Sequence, residues 1–381
     1  LSGITADSRA VRSGMLFAAL PGTLTHGARF IPAALEQGAA AVLTDAEGAR
    51  MAAGVLADTD VALVVAEDPR AALACAAALW FGAQPETVVA VTGTNGKTSV
   101  ATFTRAIWAA LGHEAINIGT TGIEGAWSAP SSHTTPDAIT LQKLLAAAAQ
   151  GGVTHAAMEA SSHGIDQRRL DGVRLKAAGF TNLTQDHLDY HGTMKAYFEA
   201  KAQLFTRLLP EDGVAVVNLD GARGSDMAEL ALERGQRVLT VGKGQGADLQ
   251  IAATRPDATG QEVRYLWQGQ AFQTRLSLIG AFQAENVAVA AGLAIAAGDA
   301  PEAVLGVLPR LTGVRGRMQL AATRRNGAAV YVDYAHTPDA IATALRALRP
   351  HVMGRIIVVF GAGGDRDRSK RPLMGAAAKA H

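Results

Sequence analysis

The residues best suited to chemistry lie in one short segment, Gly93–Thr98, which reads Gly-Thr-Asn-Gly-Lys-Thr. It stands between an apolar run that predicts a strand, Val88–Thr92, and a stretch that predicts a helix, Thr98–Leu111. Glycines let backbone N–H groups wrap a phosphate, and the following helix points its positive end at the same place. We therefore predict a phosphate-binding loop in which Lys97 reaches the β- and γ-phosphates and the Thr98 hydroxyl holds Mg²⁺.

Groups that could hold a cation occur at two further places. Glu159 lies near the end of the predicted strand Ala156–Ala160, and open parallel sheets bind ligands outside the carboxyl ends of their strands, so Glu159 is placed to ligate Mg²⁺. A structural carboxylate that caps the next helix is the alternative. His187 and His191 stand four residues apart, a spacing that would suit zinc on a helix face. Beside a phosphate loop, a role for His187 in binding magnesium or substrate is favoured over zinc, and a hydrogen-bonded structural histidine remains open.

Three cationic segments have both a functional and an ordinary interpretation. Gln167-Arg168-Arg169 could receive an anionic substrate, because guanidinium groups match carboxylates and phosphates, or could be a solvated basic pair. Lys201 stands among apolar neighbours, and from the sequence alone a lysine that extends its ammonium to solvent is favoured. The glycine- and cation-rich segment Gly361–Pro372 could close over a triphosphate or be a solvated loop.

Short β-branched runs alternate with Ala- and Leu-rich stretches, which predicts an α/β protein with largely parallel sheets. Strands are predicted at Val61–Val65, Val88–Thr92, Ala156–Ala160, Val214–Asn218, Ala329–Asp333 and Arg355–Phe360, and helices at Ala71–Phe81, Thr98–Leu111, Asp137–Ala149, Met194–Leu209, Ala284–Ala297 and Pro338–Leu348. We predict three domains, at 1–86, 87–314 and 315–381, with an antiparallel insert at 248–278 in the second. Because the chain starts at Leu1 and stops at His381 within an apparent helix, we expect the third domain to be incomplete.

Composition excludes several classes of protein. A length of 381 residues suggests two or three domains. Lys and Arg total 35 against 34 Asp and Glu, a balance that argues against a general nucleic-acid binder and against an acidic disordered chain. A single cysteine, Cys75, forbids an intramolecular disulfide and fits a reducing cytoplasmic setting. Without a secretory signal or an apolar run long enough to span a bilayer, no membrane insertion is expected.

Taken together, these motifs resemble the Mur ligases of bacterial cell-wall synthesis, and among them the UDP-N-acetylmuramoyl-tripeptide synthetase branch. The resemblance covers essentially the whole chain, and its most specific segments are Thr92–Thr98, Glu159–Arg169, Asp186–Lys201, Asp333–Ala340 and Gly361–Met374. It implies a three-domain fold, with a small N-terminal α/β domain that binds UDP, a central P-loop ATPase domain with a parallel sheet, and a Rossmann-like C-terminal domain, truncated here.

The resemblance also implies roles for individual residues. The triphosphate of ATP would be bound by Gly93, Thr94, Asn95, Gly96, Lys97 and Thr98, the adenine by Asn286, and the nucleotide from the hinge and third domain by Arg317, Asp333 and His336. Two Mg²⁺ ions would be held by Thr98, Glu159, His187 and Lys201, the last carbamylated by CO₂, which makes it an oxygen ligand and requires a neutral amine. Catalytic roles are implied for Lys97, Lys201, His187 and Arg317, uridine binding for Ser8, and contacts to the muramoyl dipeptide for Thr134, Thr135, Ser161, Gln167 and Arg169.

The activity implied is ATP-dependent addition of a diamino acid to UDP-N-acetylmuramoyl-L-alanyl-D-glutamate through an acyl phosphate, in the biosynthesis of peptidoglycan, which sets cell shape and supports division. Meso-diaminopimelate is favoured over L-lysine, although the motif by which the family selects its amino acid is absent from this sequence. The expected partners are small molecules, and a monomer is expected. Two alternatives remain open: an amide ligase of folylpolyglutamate or cyanophycin type, and a fragment that binds nucleotide without turnover.

Overall fold

The protein has the α/β architecture that the sequence predicts. The structure, a computed structural model, describes residues 1–22, 24–131, 133–361 and 370–381, with only the backbone at Lys370. Its strands form sheets of four, ten and two strands. Most of the predicted cation-rich loop, residues 362–369, lies outside the described residues, as does Thr23. Within the described ranges, no helix is both long enough and apolar enough to cross a membrane.

The first unit is built on a four-stranded parallel sheet in the order β1-β2-β3-β4. Its strands are β1 (Gly3–Thr5), β2 (Met15–Ala18), β3 (Ala41–Thr44) and β4 (Ala62–Val65), and its helices are α1 (Ile31–Glu36), α2 (Ala46–Leu56) and α3 (Pro69–Phe81). Apolar clusters cover both faces of the sheet. Strand β4 lies at the edge, and its Leu63, Val64 and Val65 are 41%, 46% and 51% exposed.

The central unit is built on one ten-stranded sheet, in the order β14-β13-β12-β11-β10-β9-β5-β8-β6-β7. Its strands are β5 (Thr87–Thr92), β6 (Ala115–Gly119), β7 (Gly122–Gly125), β8 (His155–Glu159), β9 (Leu175–Phe180), β10 (Val214–Asn218), β11 (Arg237–Gly242), β12 (Leu249–Asp257), β13 (Gly260–Trp267) and β14 (Gln270–Leu276). Its helices are α4 (Lys97–Ala110), α5 (Ala138–Gln150), α6 (Ser162–Asp166), α7 (Leu188–His191), α8 (Met194–Gln203), α9 (Gly224–Glu233), α10 (Phe282–Ala297) and α11 (Pro301–Val307), with a π-helical turn, Leu204–Leu208, after α8.

Strand β5, which leads into the glycine loop, is paired in parallel with β8 on one side and β9 on the other. Its register sets Val91 opposite Glu159 and Thr92 opposite Phe180. Strand β6 runs parallel on the far side of β8. The carboxyl ends of these four strands therefore meet at one edge of the sheet, where ligands of open parallel sheets bind.

Helices cover the two faces of this sheet and form two apolar cores. Helices α4 and α10 pack on one face with side chains such as Phe103, Trp108 and Leu293. Helices α5, α6, α8 and α9 pack on the other. Helix α10 is rich in alanine and lies close to the sheet: a Cβ added at Gly292 would be only 2.7 Å from Val216 Cγ1. These two layers fix the position of the loop that joins β5 to α4.

The predicted antiparallel insert is confirmed, and the structure shows that it continues the main sheet. Strands β12, β13 and β14 pair antiparallel through turns at residues 258–259 and 268–269. Strand β12 also pairs in parallel with β11, where Val241 lies opposite Leu249. The insert is thus an extension of the central sheet.

The third unit differs from its predicted form. Strands β15 (Gln319–Thr323) and β16 (Ala329–Val332) pair antiparallel, and helices α12 (Pro338–Leu348) and α13 (Lys370–Ala380) follow. The predicted strand Arg355–Phe360 is wrong: this segment is irregular, with Ile357 and Val359 largely exposed. A β-branched run becomes a strand only when a neighbouring strand pairs with its backbone, and no described strand does so here.

Candidate active site

The glycine loop forms a tight bend between β5 and α4, with conformations that require glycine. Gly93 and Gly96 have φ of 146° and 91°, and a Cβ on either would overlap a neighbouring side chain, that of Thr181 or Asn286. Asn95 is held from the next strand, because its backbone N–H donates to Asn182 Oδ1 at 3.0 Å and its carbonyl accepts from Thr181 Oγ1 at 2.6 Å. The loop is thus preformed, with the start of α4 behind it.

Two lysines, the partly buried Lys97 and the buried Lys201, share one carbonyl of this loop. Lys97 Nζ donates to the carbonyls of Gly93 and Thr94 at 2.9 Å each, and Lys201 Nζ donates to Gly93 O at 2.8 Å. Lys201 is 1% exposed, so the solvent-exposed lysine favoured by the sequence alone is excluded. Burial, with the neighbouring Lys97 ammonium, holds the pKa of Lys201 well below its usual value. Lys201 therefore loses its proton more readily than an exposed lysine and can be present as the neutral amine.

Glu159 is the point where the loops after β5, β6 and β8 meet. The carboxylate is 1% exposed and accepts from Thr98 Oγ1 at 3.0 Å and from the Thr120 backbone N–H at 2.7 Å. Burial lowers the pKa of Lys97, and the negative charge of Glu159 raises it by a smaller amount. The helix-capping alternative is wrong: the next helix is capped by Ser161, whose Oγ accepts from Gly164 N.

Arg317 extends from the third unit into this centre. Its Nη2 donates to Thr98 Oγ1 at 3.1 Å, and its guanidinium lies 5.0 Å from the centre of the Tyr334 ring. Asp333 and His336, by contrast, make their hydrogen bonds within the third unit: Asp333 accepts from the backbone of Met318 and Ala335, and His336 Nδ1 bonds Tyr334 O. The predicted nucleotide contacts of these two residues stay predictions.

Asn286 lies on the first turns of α10, directly against the glycine loop. Its side chain is 7% exposed, and its Nδ2 donates to Gln283 Oε1 at 3.1 Å. The close approach between its Oδ1 and Gly96 fixes the distance between α10 and the loop. Its predicted contact with adenine stays a prediction.

His187 is part of a cluster of rings beside the glycine loop. It has a left-handed backbone (φ 52°), and its ring centroid lies 4.9 Å from that of His163 and 6.0 Å from that of Tyr197. Burial lowers the pKa of His187, and the charges of His163, Lys97 and Lys201 lower it further against Asp186. The neutral imidazole that a metal ligand requires is therefore favoured.

The zinc interpretation of the histidine pair finds no support in the described part of the chain, where no group of three or more His, Cys, Asp or Glu is arranged to hold a metal. The ring of His191 packs instead at 5.2 Å on that of Tyr197, whose hydroxyl shares a hydrogen bond of 3.3 Å with Thr94 Oγ1. Tyr197 also lies beneath the Lys201 ammonium, at 4.5 Å.

The residues predicted to contact a muramoyl dipeptide lie in one hydrogen-bonded network. Thr135 Oγ1 donates to Glu159 O at 2.9 Å and bonds Ser161 Oγ at 3.0 Å. Arg169 Nη1 donates to Thr135 O at 2.8 Å, and its Nη2 donates to Gln167 Oε1 at 2.7 Å. Thr134 joins through Thr120, with 3.0 Å between their hydroxyl oxygens. The network begins at Glu159 and extends away from the glycine loop.

Ser8 stands apart from this network. It lies in a 3-10 turn, Ser8–Ala10, that follows β1 in the first unit. Within the described residues its side chain makes no hydrogen bond to the central unit, and its predicted uridine contact stays a prediction.

Sequence reasoning missed several groups that shape the site: Thr120, Thr181, Asn182, Thr184 and Tyr197. Thr120 follows β6, and Thr181 and Asn182 follow β9. Both strands end at the same sheet edge as β5, so the rule on carboxyl ends of parallel strands could have found these three. Thr184 and Tyr197 meet through Thr94, and no sequence signal indicates that contact.

The oxygen groups at this centre fit a hard divalent cation. Thr98 Oγ1 and Glu159 Oε2 lie 3.0 Å apart, so both could bind one ion, and hydroxyl and carboxylate oxygens are the ligands that Mg²⁺ prefers. The buried amine of Lys201 could supply two further oxygens if carbamylated. Lys97 and Arg317 flank the same point with positive charge, as binding of a triphosphate requires.

Three family models match the chain in succession. Residues 1–80 match "Mur ligase family, catalytic domain", residues 91–294 match "Mur ligase middle domain" and residues 316–381 match "Mur ligase, glutamate ligase domain".

Curated proteins and solved structures match over nearly the whole chain. The chain is 50% identical to UDP-N-acetylmuramoyl-L-alanyl-D-glutamate–2,6-diaminopimelate ligase of Caulobacter vibrioides, over 99% of this chain and 77% of that protein. It is 47% identical to the enzyme of the same name from Bradyrhizobium diazoefficiens, over 98% and 76%. A solved structure of a ligase of that name superimposes with a TM-score of 0.80 at 36% identity, over 99% of this chain and 76% of the other.

Proposed function

The chain belongs to the Mur ligase family of ATP-dependent amide ligases, and from that premise we propose that it adds meso-diaminopimelate to UDP-N-acetylmuramoyl-L-alanyl-D-glutamate in peptidoglycan biosynthesis. The observation that supports this most is the convergence of Lys97, Lys201, Thr98 and Glu159 on the bend at Gly93. A triphosphate loop, a divalent-cation site and a buried amine lie together there, beside the network that includes Arg169.

In the first step, the D-glutamate side-chain carboxylate attacks the γ-phosphorus of ATP, giving an acyl phosphate and ADP. The loop amides of residues 93–98 and the Lys97 ammonium bind the triphosphate and offset the negative charge that builds on the transferred group. Arg317 adds a second cation from the third unit, at the Thr98 hydroxyl. Arg169 and Gln167 orient the carboxylate-bearing substrate for in-line attack.

In the second step, the amine of diaminopimelate attacks the acyl carbonyl, and phosphate leaves from the tetrahedral intermediate. Closure of the third unit over the nucleotide would exclude water, which would otherwise hydrolyse the acyl phosphate. Arg317 links that unit to the phosphate loop, so its hydrogen bond to Thr98 would depend on closure.

Two magnesium ions and a carbamate belong to the proposal. Thr98, Glu159, His187 and carbamylated Lys201 would hold the ions, which would neutralise phosphate charge when bound. What this chain contributes is a buried, weakly basic Lys201 amine able to react with CO₂, and a neutral imidazole at His187.

The remaining parts of the proposal concern organisation and setting. We propose domain boundaries at 1–86, 87–314 and 315–381, a monomeric state and a cytoplasmic location, where ATP and UDP-linked substrates are available. Among the diamino acids, meso-diaminopimelate is preferred to L-lysine because the similar curated proteins have 2,6-diaminopimelate in their names.

The test is a coupled assay of inorganic phosphate release by the purified protein with ATP, MgCl₂, bicarbonate and UDP-N-acetylmuramoyl-L-alanyl-D-glutamate. Phosphate release that depends on both the UDP substrate and meso-diaminopimelate is expected, with less when L-lysine replaces it. Release with a folate substrate in place of the UDP substrate would indicate a folylpolyglutamate type of ligase. Nucleotide binding without phosphate release would indicate a binding protein and contradict the proposal.

Two lysine variants separate binding from turnover. Lys97→Ala should abolish ATP binding, because it removes the cation that faces the phosphates. Lys201→Ala should stop turnover, while the Kd for ATP changes by less than about fivefold, the equivalent of one hydrogen bond of about 1 kcal/mol. Lys195→Ala, on the exposed side of the same helix, is the matched control and should keep full turnover. Equal turnover with and without Lys201 would exclude the carbamate.

A further inference from the structure

Arg168 has an unusual backbone conformation between two residues of the proposed substrate network. Its φ is 60°, in the left-handed region that residues with a Cβ rarely adopt. It follows Gln167, the C-cap of α6, and precedes Arg169. Disfavoured conformations of this kind persist where the surroundings hold them, and they cluster at functional sites.

The side chain of Arg168 reaches into the first unit. Its Nε donates to Asp68 Oδ2 at 2.7 Å, across 100 residues of sequence. Asp68 is itself fixed, because it caps α3 and its Oδ1 accepts from the Ala71 backbone N–H at 3.0 Å. One carboxylate therefore anchors both the start of a helix in the first unit and the turn at Arg168. The ion pair occupies the Nε of Arg168, and the role suggested by the sequence, in which Arg168 receives an anionic substrate, stays a prediction.

The neighbours of Arg168 extend in a different direction. Arg169 Nη1 donates to Thr135 O at 2.8 Å, and its Nη2 donates to Gln167 Oε1 at 2.7 Å. Gln167 Nε2 also donates to Tyr190 OH at 3.3 Å. The left-handed residue thus separates the three side chains: the middle one goes to Asp68, and the outer two go to the Thr135 network.

From this geometry we infer that Asp68 and Arg168 are a positioning pair, which holds the turn at 167–169 so that Gln167 and Arg169 meet the muramoyl dipeptide. The pair ties this end of the substrate site to the first unit, where we propose that the uridine end binds. The inference rests on the proposed function, since it deepens the account of the same substrate site. Neither residue touches the substrate in this account, and neither is catalytic.

The partial exposure of the pair determines which measurement should respond. The side chains of Asp68 and Arg168 are 39% and 27% exposed, and ion pairs this exposed contribute little to stability. Their removal should therefore affect the affinity for the UDP substrate, with little effect on unfolding or on nucleotide binding.

The experiment measures two dissociation constants by calorimetry on the whole protein, one for UDP-N-acetylmuramoyl-L-alanyl-D-glutamate and one for ADP. Asp68→Asn keeps an N-cap side chain but removes the charge. Arg168→Asn keeps a residue that tolerates the left-handed region but removes the link. The double variant completes a double-mutant cycle. Asp226→Asn is the control, because it breaks another exposed ion pair, Arg223–Asp226, at the start of α9.

Each single variant should raise the Kd for the UDP substrate about tenfold, because the turn loses its anchor. The double variant should be no weaker than either single variant, since both remove the same contact. The ADP Kd, the unfolding temperature and the Asp226→Asn variant should stay near wild type. An unchanged Kd for the UDP substrate, or an equal loss for both ligands with a fall in unfolding temperature, would overturn the inference. If the wild-type protein itself fails to bind the UDP substrate, the proposed function fails with it.

Discussion

Three loops of the central unit contact one buried residue, Glu159. Thr98 and Thr120 donate to its side chain, and Thr135 donates to its backbone carbonyl. Because each donor follows or precedes a different strand, a change at this residue is transmitted to both the phosphate loop and the proposed dipeptide network. The sequence placed Glu159 correctly at the end of a strand, since that inference needs only the local pattern and the parallel arrangement.

The residue contacts that escaped prediction join distant parts of the chain. Lys201 illustrates this, because its partner, Gly93 O, is 108 residues away. From its apolar neighbours alone, the ordinary interpretation was an exposed ammonium, and burial could not be inferred. The glycine loop is predictable because strand, loop and helix are contiguous, whereas the hydrogen bond from the Asn95 backbone N–H to Asn182 Oδ1 depends on which strands become neighbours.

A second histidine cluster lies outside the active site, around His155. The ring of His155 lies 4.1 Å from that of His113 and 4.9 Å from that of Trp108, and its Nδ1 bonds Thr154 Oγ1 at 2.8 Å. Burial, followed by the charge of His113, lowers the pKa of His155 from 6.5 to about 4, against the attraction of Asp299. The folded state therefore prefers the neutral ring.

We predict that the free energy of unfolding falls as the pH drops from about 6.5 to about 4. In this interval the unfolded chain binds a proton at residue 155 that the folded chain does not, so acid favours unfolding. The loss from this residue should be about 1–2 kcal/mol, after discounting for solvent at a half-buried ring. His155→Phe, which keeps an aromatic ring, should reduce the difference between the free energies of unfolding measured with urea at pH 7 and at pH 4.5. An equal difference in the wild type and the variant would contradict the assignment.

Element boundaries were predicted where one segment carries the whole signal. Val214–Asn218 and Pro338–Leu348 match their predicted bounds, since a buried β-branched run and a capped, proline-started helix are local features. The segment Arg355–Phe360 has an equally apolar sequence but no strand partner among the described residues. Strand formation depends on pairing with remote residues, and sequence pattern alone does not supply that information.

The packing of α10 yields a prediction about one glycine. Gly→Ala within a helix normally stabilises by up to about 1 kcal/mol. At Gly292 the added methyl would lie 2.7 Å from Val216 Cγ1, so the helix must move off the sheet, and we expect Gly292→Ala to destabilise by about 1–3 kcal/mol. Gly54→Ala in α2 is the control, because open space surrounds that position, and it should be neutral or stabilising. The measurement is urea unfolding of both variants. If both change the free energy of unfolding in the same direction, the packing argument is refuted.

At the scale of the molecule, polar contacts join the three units. Gln84 links the end of the first unit to the central unit, through Gln142 at 3.0 Å and Gly172 O at 2.8 Å. His351 does the same for the third unit: its buried ring accepts from the Gly280 backbone N–H at 3.0 Å and bonds Asp257 O through Nδ1 at 2.5 Å. Gly280 precedes α10, which carries Asn286 beside the phosphate loop.

We predict that His351→Ala loosens the third unit from the central one. The Gly280 amide loses its acceptor, and hydrogen–deuterium exchange in a peptide covering residues 277–284 should become about tenfold faster or more. Exchange in β13 of the same variant should stay unchanged and serves as the internal reference. Protection at Gly280 equal to that of the wild type would show that other contacts hold the units together.

The exposed edge of the first sheet has a consequence for handling the protein. Strand β4 offers unpaired backbone groups along one side, together with the aliphatic side chains of Leu63, Val64 and Val65. Such an edge is a template on which the same strand of another copy can add, and no lysine or proline interrupts it. Concentrated solutions should therefore begin to aggregate through β4, and a single lysine introduced there would give a more tractable sample for crystallisation.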